Sequence, residues 1–146
     1  MNKIQKKYPF PECLQGQCDL KEFDKWLDRK ANSHIRRDRN RGNTNAKREE
    51  YKIAILEAVN RSKGNDAYTG KIMRWDLISK YDNDQSKSKG REYKKKFGDL
   101  PTVDHVDDGR GSPQFNICSW RVNDAKNDLT LDEFIAVCKD ILGFLS

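Results

Sequence analysis

The sequence is poor in histidine and lacks the cysteine spacing of a zinc-binding protein. Of its 146 residues only two are histidines and four are cysteines. Cys13 and Cys18 are separated by four residues, and no second pair follows at ligand spacing, so they form at most half of a zinc site. A structural zinc ion is therefore not expected. Cys118 and Cys138 have apolar neighbours and are predicted to be core residues.

Long apolar runs are also missing. Hydrophobic residues make up 35% of the chain and charged residues 36%, and no run approaches the roughly 20 residues that cross a membrane. The N-terminal residues lack the apolar stretch of a signal peptide. We therefore expect a cytoplasmic protein without a membrane partner.

Basic residues, in contrast, are in excess. The formal net charge is +6 and the pI is near 9.1, which suits a polyanionic partner. Much of this charge lies between residues 29 and 41, where Asp38 is the only acid from Ala31 to Ala46. Clustered arginines pair bidentately with phosphates, and each such contact releases a counterion. The candidate nucleic-acid contacts are Arg36, Arg37, Arg39 and Arg41; a solvated helix end is the alternative.

Two helices are predicted in the N-terminal half. Asp19, with Glu22 three residues later, is typical of a capping box, and Phe23 and Leu27 continue an apolar stripe at helical spacing. A second helix is predicted over 46–59. Both apolar stripes are expected to face the core. His34 follows the first stripe, and we expect it to have a surface or capping role, with a second catalytic imidazole as the alternative.

A third helix is predicted near the C-terminus. Thr130 and Glu133 have the spacing of a capping box. The apolar residues that follow recur at helical spacing, which predicts a helix whose stripe packs against the core; they are Phe134, Val137, Cys138, Ile141, Leu142 and Leu145.

The most informative stretch runs from residue 100 to 128. A short apolar run, 100–103, leads to Asp104 and His105, and a Gly-rich bend follows at 107–111. A second apolar run passes through Phe115 to Trp120. β-branched and aromatic residues bounded by Gly and Pro favour strands. The order predicted is strand, polar loop, strand and then a helix entered at 123–126.

This order resembles the motif of the HNH nucleases, a family with the ββα-metal fold. The resemblance is carried by Asp104, His105, Asn116, Asn123 and Lys126. Upstream, Tyr68-Thr69-Gly70-Lys71-Ile72 resembles the lead-in hairpin of such domains. The likeness covers roughly residues 65 to 145, and the two CxxC pairs of many HNH domains are absent from this chain.

The resemblance implies a base and a metal acting together on a phosphodiester. His105 would take a proton from water, because a neutral imidazole suits base catalysis near pH 7. Asp104 and Asn123 would offer oxygens to one divalent metal ion, Mg²⁺ or Mn²⁺. Asp107 and Asp108 are alternative ligands, although a solvated turn is the commoner role of Asp-Asp-Gly.

The remaining motif residues would position the loop and the substrate. Asn116 would tie the loop so that the base points correctly, with Gln114 or a backbone group as the alternative. Lys126 would meet a phosphate near the positive end of the helix. Arg121 and Arg110 are further candidate phosphate contacts.

We therefore expect an α+β protein with an N-terminal helical, basic region at 1–62. Residues 63–146 would form the HNH-like ββα-metal core with a C-terminal helix. The expected function is a metal-dependent endonuclease acting on DNA, most simply double-stranded. The alternatives are a non-catalytic nucleic-acid-binding module on the same scaffold and a ribonuclease. An amidase is disfavoured because no Ser or Cys lies beside a histidine in a nucleophile motif. A homodimer is left open.

Overall fold

The computed structural model describes residues 8–81, 83–107 and 109–146. Its helices and two-stranded antiparallel sheet make a mixed, α+β arrangement. Helices α1 and α2 come first and α3 and α4 precede the sheet, while α5 and α6 follow it. The elements are α1 (Leu20–Asn40), α2 (Arg48–Ser62), α3 (Asn83–Lys89), α4 (Arg91–Lys96), β1 (Pro101–His105), β2 (Phe115–Ser119), α5 (Trp120–Lys126) and α6 (Leu131–Leu145).

The two N-terminal helices form where the apolar stripes predict them. Asp19 caps α1 by accepting a hydrogen bond from the backbone N–H of Lys21 at 2.8 Å. Phe23 and Leu27 are buried, as predicted, and so is Tyr51 on α2. The buried side of α1 extends beyond its predicted apolar stripe, because the helix continues unbroken through the cationic segment.

A single core spans both halves of the chain. Phe23 and Trp26 from α1 pack against Trp75, which follows the lead-in segment, with ring centroids 5.1–6.2 Å apart. Trp75 donates its indole N–H to the carbonyl oxygen of Gly64 at 2.8 Å. A side chain at Gly64 would lie 2.9 Å from Leu14, and its φ of +79° also favours glycine.

The sheet supplies two faces with different partners. Directly paired residues of an antiparallel ladder share a face, and successive residues alternate. Asp104 pairs with Asn116, so both project to the side on which α5 packs. His105 pairs with Phe115 and projects to the opposite side, where α1 and α2 lie.

Helix α5 begins earlier than the sequence predicts. It starts at Trp120, capped by the hydroxyl of Ser119, which accepts the N–H of Val122 at 3.3 Å. The expected entry at 123–126 is therefore wrong, and Lys126 occupies the last turn. The Ser119 cap ends β2 and starts the helix without an intervening loop.

The C-terminal helix has the predicted cap but not the predicted packing. The capping box between Thr130 and Glu133 is confirmed. Within 131–145, all of which the structure describes, no side chain is buried. The prediction that this stripe packs into the core is wrong, and Cys138 is only partly covered. Cys118 is buried in β2, as predicted.

Among the described residues, no helix is both long enough and apolar enough to cross a membrane.

Candidate active site

A cleft of about 490 Å³ opens at the end of β1, between α1, α5 and the start of α6. It brings together seven of the eleven candidate site residues, together with Tyr68 of the lead-in segment and Asp107, an alternative metal ligand. These seven are Arg37, Arg41, Asp104, His105, Asn116, Asn123 and Lys126. The motif residues therefore share one cavity, although they approach it from both faces of the sheet.

Asp104 lies at the centre of a hydrogen-bonded group on the α5 face. Its Oδ2 accepts a hydrogen bond from the Tyr68 hydroxyl at 2.5 Å and lies 3.1 Å from Nζ of Lys126. Asn116 donates its Nδ2–H to the Tyr68 oxygen at 3.3 Å. Burial and the neighbouring Asp104 raise the pKa of Tyr68, so its hydroxyl remains a donor. The group fixes the carboxylate firmly.

Tyr68 reaches this group because Asp66 anchors the turn that carries it. Oδ1 of Asp66 accepts the backbone N–H groups of Tyr68 and Thr69, at 2.8 and 3.2 Å. Its other oxygen accepts the N–H of Ser119 at 3.0 Å. Residue 65 bridges to residue 72, which closes the lead-in segment as a small hairpin-like turn. The buried Asp66 thus ties this turn to the end of β2.

His105 is held from the other side of the sheet by Asp38 of α1. The His105 Nε2 lies 2.8 Å from Oδ2 of Asp38, and the side chain of Asp38 is fully buried. The hydroxyl of Tyr51 also donates a hydrogen bond to this oxygen. Asp38 therefore orients the imidazole ring through Nε2.

Nδ1 of His105 faces the loop between the strands. It lies 3.0 Å from Oδ1 of Asp107 but makes no hydrogen bond within the described residues. The oxygens of Asp107 accept the backbone N–H groups of Gly109 and Gln114, each at 2.7 Å. Asp107 therefore closes the loop and places negative charge beside Nδ1. Asp108 lies outside the described residues.

Asp107 holds the loop in place through the backbone of Gln114. A backbone group in this role, instead of Asn116, is the alternative that the sequence leaves open. Asn116 does not have the loop-tying contact that the sequence predicts for it, because its register with Asp104 directs it to the α5 face and to Tyr68. Its described contacts therefore hold Asp104 in place, and other residues orient the candidate base.

Asp38 is the residue that sequence reasoning missed. It comes 67 positions before His105 and outside the part of the chain that resembles HNH nucleases. Gly109 is required beside it, since a Cβ there would lie 2.6 Å from Oδ1 of Asp38. Asn43 holds the same glycine by donating to its carbonyl oxygen at 2.8 Å. The only signal in the sequence is a lone acid within a cationic run.

The second histidine is a core residue. His34 is buried, packs against Phe115 and lies 3.2 Å from the carbonyl oxygen of Val103 through Nε2. Burial, with help from Arg37, lowers the pKa of His34 to about 3. It is neutral at physiological pH, and the predicted surface or capping role is wrong.

The arginine cluster divides between two faces of α1. Arg37 and Arg41 line the cleft. Arg36 and Arg39 border a separate groove with Arg48, and Arg39 donates to the carbonyl oxygen of Ala46 at 3.1 Å. Four arginines at this spacing cannot share one side of a helix.

The other two candidate phosphate contacts lie elsewhere. Arg121 rests over Gly98, where a Cβ would lie 2.4 Å from its Nη2. Arg110 is exposed in the loop that joins the strands. Neither is among the described residues that line the cleft.

Two side-chain oxygens in the cleft are of the type that a hard divalent cation binds. Asn123 donates its Nδ2–H to Thr102 at 3.3 Å, which leaves its carbonyl oxygen as a donor to metal. The contacts of Asp104 with Tyr68 and Lys126 both use Oδ2, so a metal would be bound through Oδ1. Carboxylate and carboxamide oxygens are the donors that Mg²⁺ and Mn²⁺ take, with water completing the shell. In the described ranges no three His, Cys, Asp or Glu side chains meet in a way that could hold a metal.

Comparisons of the chain with protein-family models, with curated proteins and with solved structures found no significant match. Function is therefore inferred from the geometry of this cleft.

Asp38→Asn should lower kcat by roughly 10- to 100-fold for any reaction in which His105 is the base, equal to about 1.4–2.7 kcal/mol of transition-state stabilisation. The neutral amide keeps the shape of the carboxylate but no longer stabilises the protonated form of His105. KM should change little, and the shape of the pH–rate profile should change.

The matched control is Tyr51→Phe, which removes the other hydrogen bond to the same Asp38 oxygen without touching His105. It should leave kcat within about threefold of wild type and the pH–rate profile unaltered. Equal losses in the two variants would show that Asp38 acts only through stability.

Proposed function

We propose that this protein is a metal-dependent endonuclease of the HNH type that hydrolyses phosphodiester bonds in DNA. The observation that carries the proposal is the convergence of Asp104, His105, Asn123 and Lys126 on one cleft. They do so at the end of an antiparallel strand pair followed directly by a helix, which is the order of a ββα core.

The side chains of the cleft have different roles in the proposed reaction. His105 would accept the proton of the attacking water, while Asp38 keeps the ring oriented through Nε2. Asp107 lies close enough to Nδ1 to stabilise the imidazolium that results. A divalent metal held by Asp104 and Asn123 would polarise the scissile phosphate and stabilise the departing 3′ oxygen.

Basic residues at the rim support a nucleic-acid substrate. Arg37 and Arg41 are one helical turn apart and both face the cleft. Lys126 contributes a buried ammonium beside Asp104. A phosphate that enters the cleft would therefore meet two cations at its rim, whereas Lys126 lies at the C-terminal end of α5 and is already paired with Asp104. The net charge of +6 would draw the polyanion toward the protein.

One contact favours the non-catalytic binding module as the second candidate. Nζ of Lys126 lies 3.1 Å from Oδ2 of Asp104, and both side chains are more than nine-tenths buried. An ion pair that is already complete neutralises the carboxylate without a metal. A ribonuclease would use the same groups, because they act on the phosphate and not on the sugar.

Plasmid cleavage tests the proposal directly. Purified protein is incubated with supercoiled DNA in Mg²⁺, in Mn²⁺ or in EDTA, and a structured RNA is tested in parallel. Nicking or linearisation that depends on metal is the expected result. Salt-sensitive DNA binding with no cleavage of either nucleic acid would instead favour the binding module.

Arg37→Ala/Arg41→Ala should weaken DNA binding and flatten its salt dependence. Each phosphate contact contributes about 0.9 to the slope of log affinity against log salt, so the double variant should reduce that slope by about 1.8. The measurement is a fluorescence-anisotropy titration in EDTA at several salt concentrations.

Arg36→Ala/Arg39→Ala is the matched control, because it removes equal charge from the other side of the same helix. Its slope should stay close to that of wild type, after thermal melting shows that removal of the Arg39 hydrogen bond has not unfolded the chain. Equal slope changes in both double variants would mean that the phosphate contacts are not restricted to the arginines that line the cleft.

A further inference from the structure

Helix α6 presents an apolar face that the described part of the chain leaves largely exposed. The exposed fractions are largest near the C-terminal end of the helix, with 52% at Ile141, 64% at Leu142, 88% at Phe144 and 75% at Leu145. A single exposed apolar residue is ordinary, but a contiguous patch of this kind marks an interaction site.

The helix separates apolar from polar residues cleanly. In a seven-residue repeat that begins at Leu131, positions a, d, e and g are apolar throughout, and positions b, c and f are polar or small. The members of the b, c and f set are Asp132, Glu133, Ala136, Lys139, Asp140 and Gly143. A stripe without charge over four turns is the pattern of a helix that packs against another helix.

We propose that α6 is a dimerisation helix and that its apolar face packs against α6 of a second copy of this chain in antiparallel orientation. The stripe is self-complementary, since pairing it with itself buries no charge. Its exposed side chains together present on the order of 700 Å², close to the roughly 800 Å² that each partner contributes to a stable interface.

Antiparallel pairing follows from the way the helix is attached. The body of each protein joins α6 at its N-terminal end, where Leu131 borders the cleft. A parallel pair would bring two bodies of net charge +6 to the same end. An antiparallel pair places them at opposite ends of a helix about 22 Å long and aligns the two helix dipoles favourably.

Cys138 allows the proposed interface to be tested by cross-linking. It is the central residue of α6, with seven helical residues on each side, and occupies an a position of the stripe. A two-fold axis through the middle of an antiparallel pair would pass between the two Cys138 side chains. Phe134 of one copy would then lie opposite Leu142 of the other.

The association test uses the full chain without nucleic acid, so that its outcome is independent of the proposed nuclease function. Analytical ultracentrifugation from about 1 to 100 μM should give twice the chain mass of 17.0 kDa at the upper end. Ile141→Lys/Leu145→Lys should give the monomer mass throughout. Ala136→Lys, which adds charge on the polar side, should remain dimeric. A wild-type monomer at every concentration would overturn the proposal.

Cross-linking tests the geometry. A short bismaleimide should join two wild-type chains and fail with Cys138→Ser. In the Cys138→Ser background, a chain with Leu142→Cys should cross-link to a chain with Phe134→Cys but not to itself. Self-cross-linking of the Leu142→Cys chain alone would overturn the antiparallel arrangement. A dimer with no Cys138 product would show that another surface mediates association.

Discussion

His105→Ala should reduce the rate of metal-dependent plasmid cleavage by roughly 10²–10⁴-fold, the range expected when a general base is removed. His105 is the histidine that lines the cleft, and Asp38 orients its ring there. His34 cannot replace it, because that ring is buried away from the cleft and its lowered pKa makes it a weak base. The measurement is single-turnover cleavage at saturating protein, which separates chemistry from binding.

The Ala variant also leaves the buried Asp38 without its histidine, which can cost roughly 3–5 kcal/mol of stability. His105→Gln serves as a second variant, since its amide can still donate to Asp38 but is not a base. Both variants should bind DNA with affinity close to wild type in EDTA. Cleavage at the wild-type rate by a folded His105→Gln protein would exclude His105 as the base.

Asp104→Asn should lower the cleavage rate by roughly 10²–10³-fold, equal to several kcal/mol of transition-state stabilisation, and should raise the metal concentration needed for half-maximal rate. The anionic oxygen that attracts the metal is replaced by a neutral one. Asn123→Ala should shift the metal titration in the same direction. Cleavage is measured against Mg²⁺ and Mn²⁺ concentration for each variant.

Two further variants distinguish a role of Asp104 as a metal ligand from a role only as the ion-pair partner of Lys126. Lys126→Met removes the ammonium from Asp104 and should leave metal-dependent cleavage in place with a lower metal requirement, because the carboxylate no longer has a competing cation. Asp124→Ala removes an exposed acid next to Asn123 and should have no effect. A metal titration of Asp104→Asn that matches wild type would assign that carboxylate to Lys126 alone.

Local signals in the sequence predict the elements that local interactions form. The cap at Thr130 and the apolar stripes of α1 and α2 depend on residues within a few positions of each other, and the structure contains all three. The short apolar runs on either side of the Gly-rich bend are likewise the two strands. The α+β class follows from these elements.

Tertiary contacts decide what the sequence leaves undetermined. The contact between Asp38 and His105 joins residues 67 positions apart, and no local pattern encodes it. His34 is buried for the same kind of reason, since its surroundings come from β1 and β2. For α6 the periodicity predicts an apolar face correctly, but periodicity carries no information about which surface that face meets.

The buried contact between Asp38 and His105 has a consequence for the protein during its synthesis. The residue that orients the proposed base belongs to α1, whereas the base and the proposed metal ligands are translated much later. An N-terminal fragment would carry arginines but no base, and a C-terminal fragment would carry the base without its orienting carboxylate. Nascent chains and proteolytic pieces would therefore lack an oriented base, and the proposed activity would reach its full rate only when both ends of the polypeptide have come together.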